Sequence, residues 1–389
     1  MQNKSIAAHR LWNAALGAVI LIWLITAVAV NATAVGGRIG PVSFWANIHT
    51  LTIGVITTAV VVYSAHFTAT LTRGPQISYA QLGSEIAIIQ ASLFILLTQP
   101  PWTTTSTFAA CAIAVVASWH AVTLTKMIRR AFVNQLAVTS WAYVVASCLL
   151  VLAIIFAVTA QYGFSHDAFI AAHSRAAVWG FAWTAILGTS LTLLPTLEGA
   201  QVAPRVRRRC PQVLILHGSA VALAAGCLSA DYVRAAGVFL LVSTACSASL
   251  LQPTLTQLLR VGAPRSAAAV LVGCGVAWMF VCLIADGTML AAGHPGKGLD
   301  SGMLVSLLGA GLVQTLLGAL SHLLPVLTGR PAARHIPARG LFWRVTLFNI
   351  GGVVALASFP TTGGAIMVAA ATWHVVQLGD SLLRAGRSA

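Results

Sequence analysis

The chain has 389 residues, of which 58% are hydrophobic and only 7% are charged. A soluble domain could not hide so many apolar residues beneath so few charged ones, so the composition excludes an ordinary soluble protein. The formal net charge of +15 does not indicate nucleic-acid binding, because the basic residues lie between apolar runs, where they mark membrane topology.

The apolar runs predict an all-α integral membrane protein with about twelve transmembrane helices. The runs are continuous, so they fit membrane helices better than barrel strands, which alternate and are shorter. The first run, preceded by Lys4 and Arg10, is too long for a signal peptide and is interpreted as a retained helix. The predicted spans are 11–33, 44–72, 82–99, 103–125, 137–160, 168–196, 211–230, 235–252, 266–290, 303–327, 341–359 and 362–383.

The basic residues predict the orientation of these spans. Of the 22 lysine and arginine residues, eighteen are assigned to the cytoplasmic side of the membrane and four to the outer side. The four are Arg38, Arg175, Arg234 and Lys297. The positive-inside rule then places both termini in the cytoplasm and favours an even number of spans. We expect a multi-pass protein of the cell membrane whose basic inner face contacts anionic lipids.

Three stretches of the chain resemble one another. Residues 317–329 align with 187–199 at an offset of 130, and residues 64–75 align with 320–331 at an offset of 256, which pairs His66 with His322. Residues 117–124 align with 371–378 at an offset of 254, which pairs His120 with His374. The sequence therefore predicts a single domain over 1–389, built from three four-helix repeats near 1–132, 133–262 and 263–389.

Other residue types offer little chemistry. The seven cysteines are scattered singly and are interpreted as small apolar residues, not as a disulfide or zinc framework. The seven carboxylates lie mostly at predicted membrane edges, which argues against a proton-pumping pathway of buried acids. The sequence has no C-x-x-C-H motif for covalent haem.

Histidines inside the spans are the main source of chemistry. On the outer side, His49 opens the second span and His173 opens the sixth, at nearly equivalent places in repeats one and two. Their rings could meet near the axis of the three repeats. Neutral imidazole nitrogens held together by rigid helices are what a haem or a copper ion requires. His49 and His173 are therefore the predicted metal ligands.

Five further histidines lie nearer the inner ends of spans and are weaker cofactor-binding candidates; they are His66, His120, His217, His322 and His374. Each could instead cap a helix, bond a neighbouring carbonyl or contact lipid. His49 and His66 share one helix about 25 Å apart, at roughly 1.5 Å per residue, so they cannot hold the same metal. They could serve two sites stacked across the bilayer.

The twelve spans, the three repeats and the outer histidines resemble subunit I of the haem-copper oxidase superfamily. The segments around His49, His173 and His322 are also similar to haem- and copper-containing membrane proteins linked to nitric-oxide stress, and to actinobacterial membrane domains that accompany multicopper oxidases. The resemblance implies b-type haem, copper or both. By position it assigns an outer haem ligand to His49 and a copper ligand to His173.

Two ligand sets of the oxidases are not matched. The seventh span offers only His217 near its inner end, and the tenth begins with Met303, which is either packing or a soft ligand. We therefore expect an oxidase-like protein for copper handling, nitrogen-oxide handling or electron transfer, and not an energy-coupled oxygen reductase. A multicopper oxidase or another redox protein would be its partner. Its catalytic residues are unknown.

A transporter or permease for a metal, haem or a small hydrophobic molecule is the first alternative, and a structural or assembly partner for a redox enzyme is the second. The transporter would use the same helices without a prosthetic group. The glycines on the spans suit close helix packing and sliding; they are Gly54, Gly180, Gly188, Gly311 and Gly318.

Overall fold

The fold is known from a computed structural model that describes residues 2–35, 44–131, 137–163, 165–262, 266–294, 299–330, 333 and 340–387. The regular structure in these ranges is helical. Its twelve long helices are α1 Gln2–Val35, α2 Phe44–Thr72, α3 Tyr79–Thr98, α4 Thr104–Arg129, α5 Val138–Gln161, α6 His166–Leu197, α7 Pro204–Ser229, α8 Val233–Val261, α9 Ala267–Ala291, α10 Ser301–Leu327, α11 Leu341–Leu356 and α12 Pro360–Arg387.

Eleven helices in the described ranges are long and apolar enough to cross a membrane, which confirms a multi-span membrane protein. The exception is α11, which has 16 residues where the sequence predicted a span over 341–359. It rises only about 24 Å, at roughly 1.5 Å per residue. It ends early because Ser358 adopts a left-handed backbone conformation, with φ of 74°, just before Pro360 begins α12.

Side-chain caps set several helix starts. The hydroxyls of Ser78 and Ser266 accept hydrogen bonds from the backbone N–H groups of Gln81 and Ala269. Thr103 and Ser106 form a reciprocal capping box at the start of α4. Each cap satisfies backbone donors that the first helical turn leaves without a partner.

The helices form a closed ring around three central members. Contacts join α4 to α5, α8 to α9, and α12 back to α1. The centre is occupied by α2, α6 and α10, in whose most apolar stretches 67, 78 and 72% of the residues are buried, against 56% or less in the other spans. This order of contacts is what the predicted repeats would produce. The repeats and the cytoplasmic termini stay predictions.

Each central helix is interrupted by a π-helical segment: Thr50–Thr57 in α2, Ala176–Ala182 in α6 and Leu307–Val313 in α10. π-Helical turns are rare and are often found at functional sites. The fifth residue of each segment is a glycine packed tightly against a neighbouring side chain. In α6, a Cβ atom on Gly180 would lie 2.8 Å from Cβ of Leu149.

Candidate functional site

A cavity of about 550 Å³ lies among α2, α4, α5, α6 and α10. It occupies the end of the bundle that the charge distribution predicts to be outer. Its walls are mostly apolar, and its size falls in the range of roughly 300–1,000 Å³ that is usual for small-molecule sites. His49, His166 and His173 all line it. We call it the outer cavity.

His49 lies immediately before the π-helical segment of α2 and is half-buried. Its Nδ1 is 2.7 Å from the carbonyl oxygen of Trp45, one turn earlier, and its ring stacks on the Trp45 ring at 4.4 Å. Because a carbonyl oxygen can only accept, Nδ1 carries the hydrogen. A neutral His49 ring therefore keeps the lone pair of its Nε2 for a ligand.

His173 has the same arrangement on α6. Its Nδ1 donates to the carbonyl oxygen of Ala153 on α5 at 2.9 Å. The neutral ring again keeps its Nε2 lone pair. Backbone acceptors of this kind fix the tautomer and the orientation of metal-binding histidines.

The rings of His49 and His173 lie together, as expected from the sequence. Their centroids are 6.4 Å apart and their planes differ by 15°. Metal–nitrogen bonds are about 2.0–2.1 Å long, so two rings on opposite sides of one metal have centroids about 6–6.5 Å apart. The separation of the centroids is of this size, so both rings lie within reach of one ligand between α2 and α6. Among the described residues, no group of three or more histidine, cysteine, aspartate or glutamate side chains could hold a metal ion.

His166 and Trp102 lie at the exposed end of the outer cavity. Their rings meet edge to face at 4.8 Å, and Nδ1 of His166 donates to the carbonyl oxygen of Ala160. Trp102 has φ of 65°, an uncommon conformation for a bulky residue. His166 is seven residues from His173, or about 10 Å along α6. It is therefore a residue of the rim, apart from the pair of rings.

A buried ion pair stands beside the outer cavity. Arg175, which contributes to the cavity wall, donates from Nε and Nη2 to both carboxylate oxygens of Asp286 on α9. Trp179 Nε1 donates to the same carboxylate at 2.7 Å. The sequence interpretation placed Arg175 in an outer segment and the aspartates mostly at membrane edges. The sequence interpretation did not predict this pairing: Asp286 is completely buried and its charge is matched inside the bundle.

Three of the inner histidines are tied to neighbouring helices through both ring nitrogens. His120 contacts Ser64 Oγ and Glu85 Oε2, each at 2.8 Å. His374 contacts Ser321 Oγ at 2.8 Å and Arg344 Nη1 at 2.7 Å. The third, on α7, bonds hydroxyls of α6 and α8: His217 contacts Thr184 and Ser243, each at 2.9 Å.

These contacts weaken the case for His120, His217 and His374 as cofactor ligands, because both nitrogens of each ring already have protein partners. Their depth also differs from the prediction. His217 and His374 lie more than three turns from the inner ends of their helices, since α7 begins at Pro204 and α12 continues to Arg387. The remaining pair, His66 and His322, is half-buried and takes no part in the walls of the outer cavity.

A second cavity, of about 80 Å³, lies between α2, α6 and α10 and is called the inner cavity. It shares the wall residues Ile56 and Leu312 with the outer cavity. Several hydroxyl groups line it, including those of Tyr63, Ser64, Tyr143, Thr189 and Thr315. The two cavities therefore follow each other along the centre of the bundle.

Sequence reasoning missed four buried charged residues: Glu85, Arg175, Asp286 and Arg344. The sequence did indicate them, because each of the four residues lies inside a predicted span, where a charged side chain usually has a buried partner. Arg344 was counted as an inner topology marker, whereas it lies completely buried on α11. The cysteines are free thiols; Cys210, Cys246 and Cys282 are buried, but Cys111 and Cys148 are exposed on the surface of the bundle.

Comparison with known proteins assigns neither a family nor a function to the chain. No model of a protein family matches the chain. No curated protein matches it either. The resemblance to the haem-copper oxidases thus depends only on the sequence features given above.

Proposed function

We propose that the chain is a membrane protein that binds b-type haem in the outer cavity through His49 and His173. The proposal depends on two imidazoles that lie on the wall of one large apolar cavity. In each ring the Nδ1–H group donates to a backbone carbonyl oxygen, which leaves Nε2 for a ligand. When bound through both rings, haem would supply an iron for one-electron transfer.

The size of the cavity favours haem over a copper ion alone. A copper ion between the two rings would leave most of the 550 Å³ empty, whereas a porphyrin offers a matching apolar surface. Gln161, at the end of α5, also lines the cavity, and its amide N–H groups are suited to the carboxylates that a porphyrin carries. Copper between the rings is the second candidate within this proposal.

The protein's own contribution is to hold and shield the two imidazoles. Trp45 and Ala153 orient the rings through their carbonyl oxygens. The π-helical segments begin directly after His49 and three residues after His173, so each ring is carried at the edge of a locally widened helix. The walls are mostly apolar, and an apolar shell lowers the dielectric around a bound metal and so tunes its properties.

The test is an optical spectrum and a metal analysis of the full-length protein, purified from haem-supplied cells. We expect a Soret band that is lost or shifted in His49→Ala and in His173→Ala. His66→Ala is the matched control, because His66 lies on the same helix but outside the outer cavity wall, and we expect it to keep the band. A colourless wild-type protein without copper would remove the proposal.

One observation favours the alternative function as a transporter: the outer and inner cavities follow each other between α2, α6 and α10. In that case Leu312→Phe, at the junction of the cavities, would block uptake of haem or copper into proteoliposomes. Uptake that needs Leu312 but survives His49→Ala would favour transport over a bound prosthetic group.

A further inference from the structure

Two carboxylates are completely buried in the described part of the bundle, and their partners differ in kind. Asp286 faces a guanidinium, whose charge is permanent. Glu85 faces the imidazole of His120, which can gain or lose a proton. Only the second pair combines two groups that can each bind and release a proton.

The hydrogen bonds of Glu85 form a chain across three helices. Its Oε1 accepts from Gln81 Nε2 at 2.8 Å, and its Oε2 is 2.8 Å from His120 Nδ1. On the other side of the ring, His120 Nε2 is 2.8 Å from the hydroxyl of Ser64. Ser64 lines the inner cavity. The pair is thus linked through one hydroxyl to the centre of the protein.

A comparison with His374 shows why His120 is suited to hold a proton. Arg344 has only donors, so it must donate to His374 Nδ1, and this ring is held in its neutral form with the hydrogen on Nε2. His120 instead faces an acceptor at Nδ1 and, at Nε2, a hydroxyl that can accept. Both of its nitrogens can therefore carry hydrogen at once.

We propose that Glu85 and His120 together form a proton-binding site that exchanges its proton with the inner cavity through Ser64. The Ser64 hydroxyl, which donates to the carbonyl oxygen of Val61 at 3.3 Å, first turns to donate to water in the cavity. The proton then leaves His120 Nε2 for Ser64 Oγ as the hydroxyl releases its own proton to that water. The cavity of about 80 Å³ is large enough, since one water needs about 10–15 Å³. This inference does not depend on the ligand of the outer cavity.

Low dielectric surroundings favour one shared proton in this pair. With one proton, the pair is neutral overall, either as carboxylic acid with imidazole or as carboxylate with imidazolium. Loss of that proton leaves a buried negative charge, which is costly without a partner. Other titratable or charged groups on the helices around the pair are Tyr63 and His66 on α2, Tyr79 on α3, Lys126 and Arg129 on α4, and Tyr143 on α5.

The test is infrared spectroscopy of the full-length protein in lipid nanodiscs, titrated from about pH 5 to about pH 9. The chain has only two glutamates, Glu85 and Glu198, so ¹³C-glutamate labelling in a Glu198→Gln background isolates the carboxyl of Glu85. We expect a labelled carboxyl band that changes with pH and shifts in D₂O. His120→Gln should shift the frequency of the labelled band, because it replaces the imidazole that contacts Oε2 of Glu85.

Two control variants make the outcome specific. Asp286→Asn and His374→Gln should each leave the labelled band unchanged. Ser64→Ala should slow the D₂O exchange without removing the band. Because the label is read without changing Glu85, the test does not require a Glu85 variant to fold. A labelled band that stays constant throughout the titration, or one that His120→Gln leaves unchanged, would overturn the proposal.

Discussion

Arg175 on α6 and Asp286 on α9 form a two-point ion pair, with Nη2 to Oδ1 at 2.8 Å and Nε to Oδ2 at 3.1 Å. The two residues are 111 positions apart in the chain and both are buried. Arg175→Ala would leave the Asp286 carboxylate without its counter-charge. We expect the free energy of unfolding in detergent to fall by about 3–5 kcal/mol, as for other broken buried pairs.

The matched control is the pair Arg384 and Asp380, one turn apart on α12 and exposed. Exposed pairs contribute little because water and salt screen them. Arg384→Ala should therefore leave the denaturant midpoint unchanged. An equal loss of stability in both variants would argue against the buried pair as the source of the effect.

The second prediction concerns two glycines in the second predicted repeat. A Cβ atom at Gly237 would lie 2.1 Å from the backbone nitrogen of Ala291 on α9, whereas one at Gly226 would meet nothing within 4 Å. Gly237→Ala should separate α8 from α9 and destabilise the protein by about 1–3 kcal/mol. Gly226→Ala should be neutral or stabilising by up to about 1 kcal/mol.

These two variants are compared by thermal unfolding in the same detergent. The contrast tests the close approach of α8 and α9, which the ring of helices requires. If Gly237→Ala were as stable as Gly226→Ala, the close contact between Gly237 on α8 and Ala291 on α9 would be contradicted.

The third prediction concerns the contact of Arg344 with His374 between α11 and α12, at 2.7 Å. Arg344→Met keeps much of the side-chain volume but leaves Nδ1 of a buried ring without its donor. A buried polar atom that loses its partner costs about 1–3 kcal/mol. Chemical denaturation should show this loss. Ser321→Ala, which removes the bond at the other nitrogen, should cost less, about 0.6 kcal/mol as for typical bonds between membrane helices.

The fourth prediction is the orientation. Fusions at the C-terminus should give active green fluorescent protein and inactive alkaline phosphatase, because the basic residues predict a cytoplasmic end. A phosphatase fusion placed after Asp231, in the turn between α7 and α8, should be active. Active phosphatase at the C-terminus would reverse the assignment of inner and outer cavities.

The positions of the membrane helices followed from the sequence because hydropathy is a local property. The predicted span 44–72 coincides with α2, and the predicted span 303–327 differs from α10 only at its first two residues. Helix α11 was predicted too long, because the left-handed turn at Ser358 has no clear signal in a run of apolar residues. The proximity of His49 and His173 was also predicted, from their similar places in two repeats.

The tertiary structure decided which imidazoles keep a nitrogen available. His49 and His120 both lie on apolar helices with a tryptophan nearby in sequence, and nothing local separates them. His49 meets a backbone carbonyl and an apolar cavity, whereas His120 meets Glu85 and Ser64. Such differences depend on which faces of distant helices come together, and a pattern with the period of one helix does not contain that information.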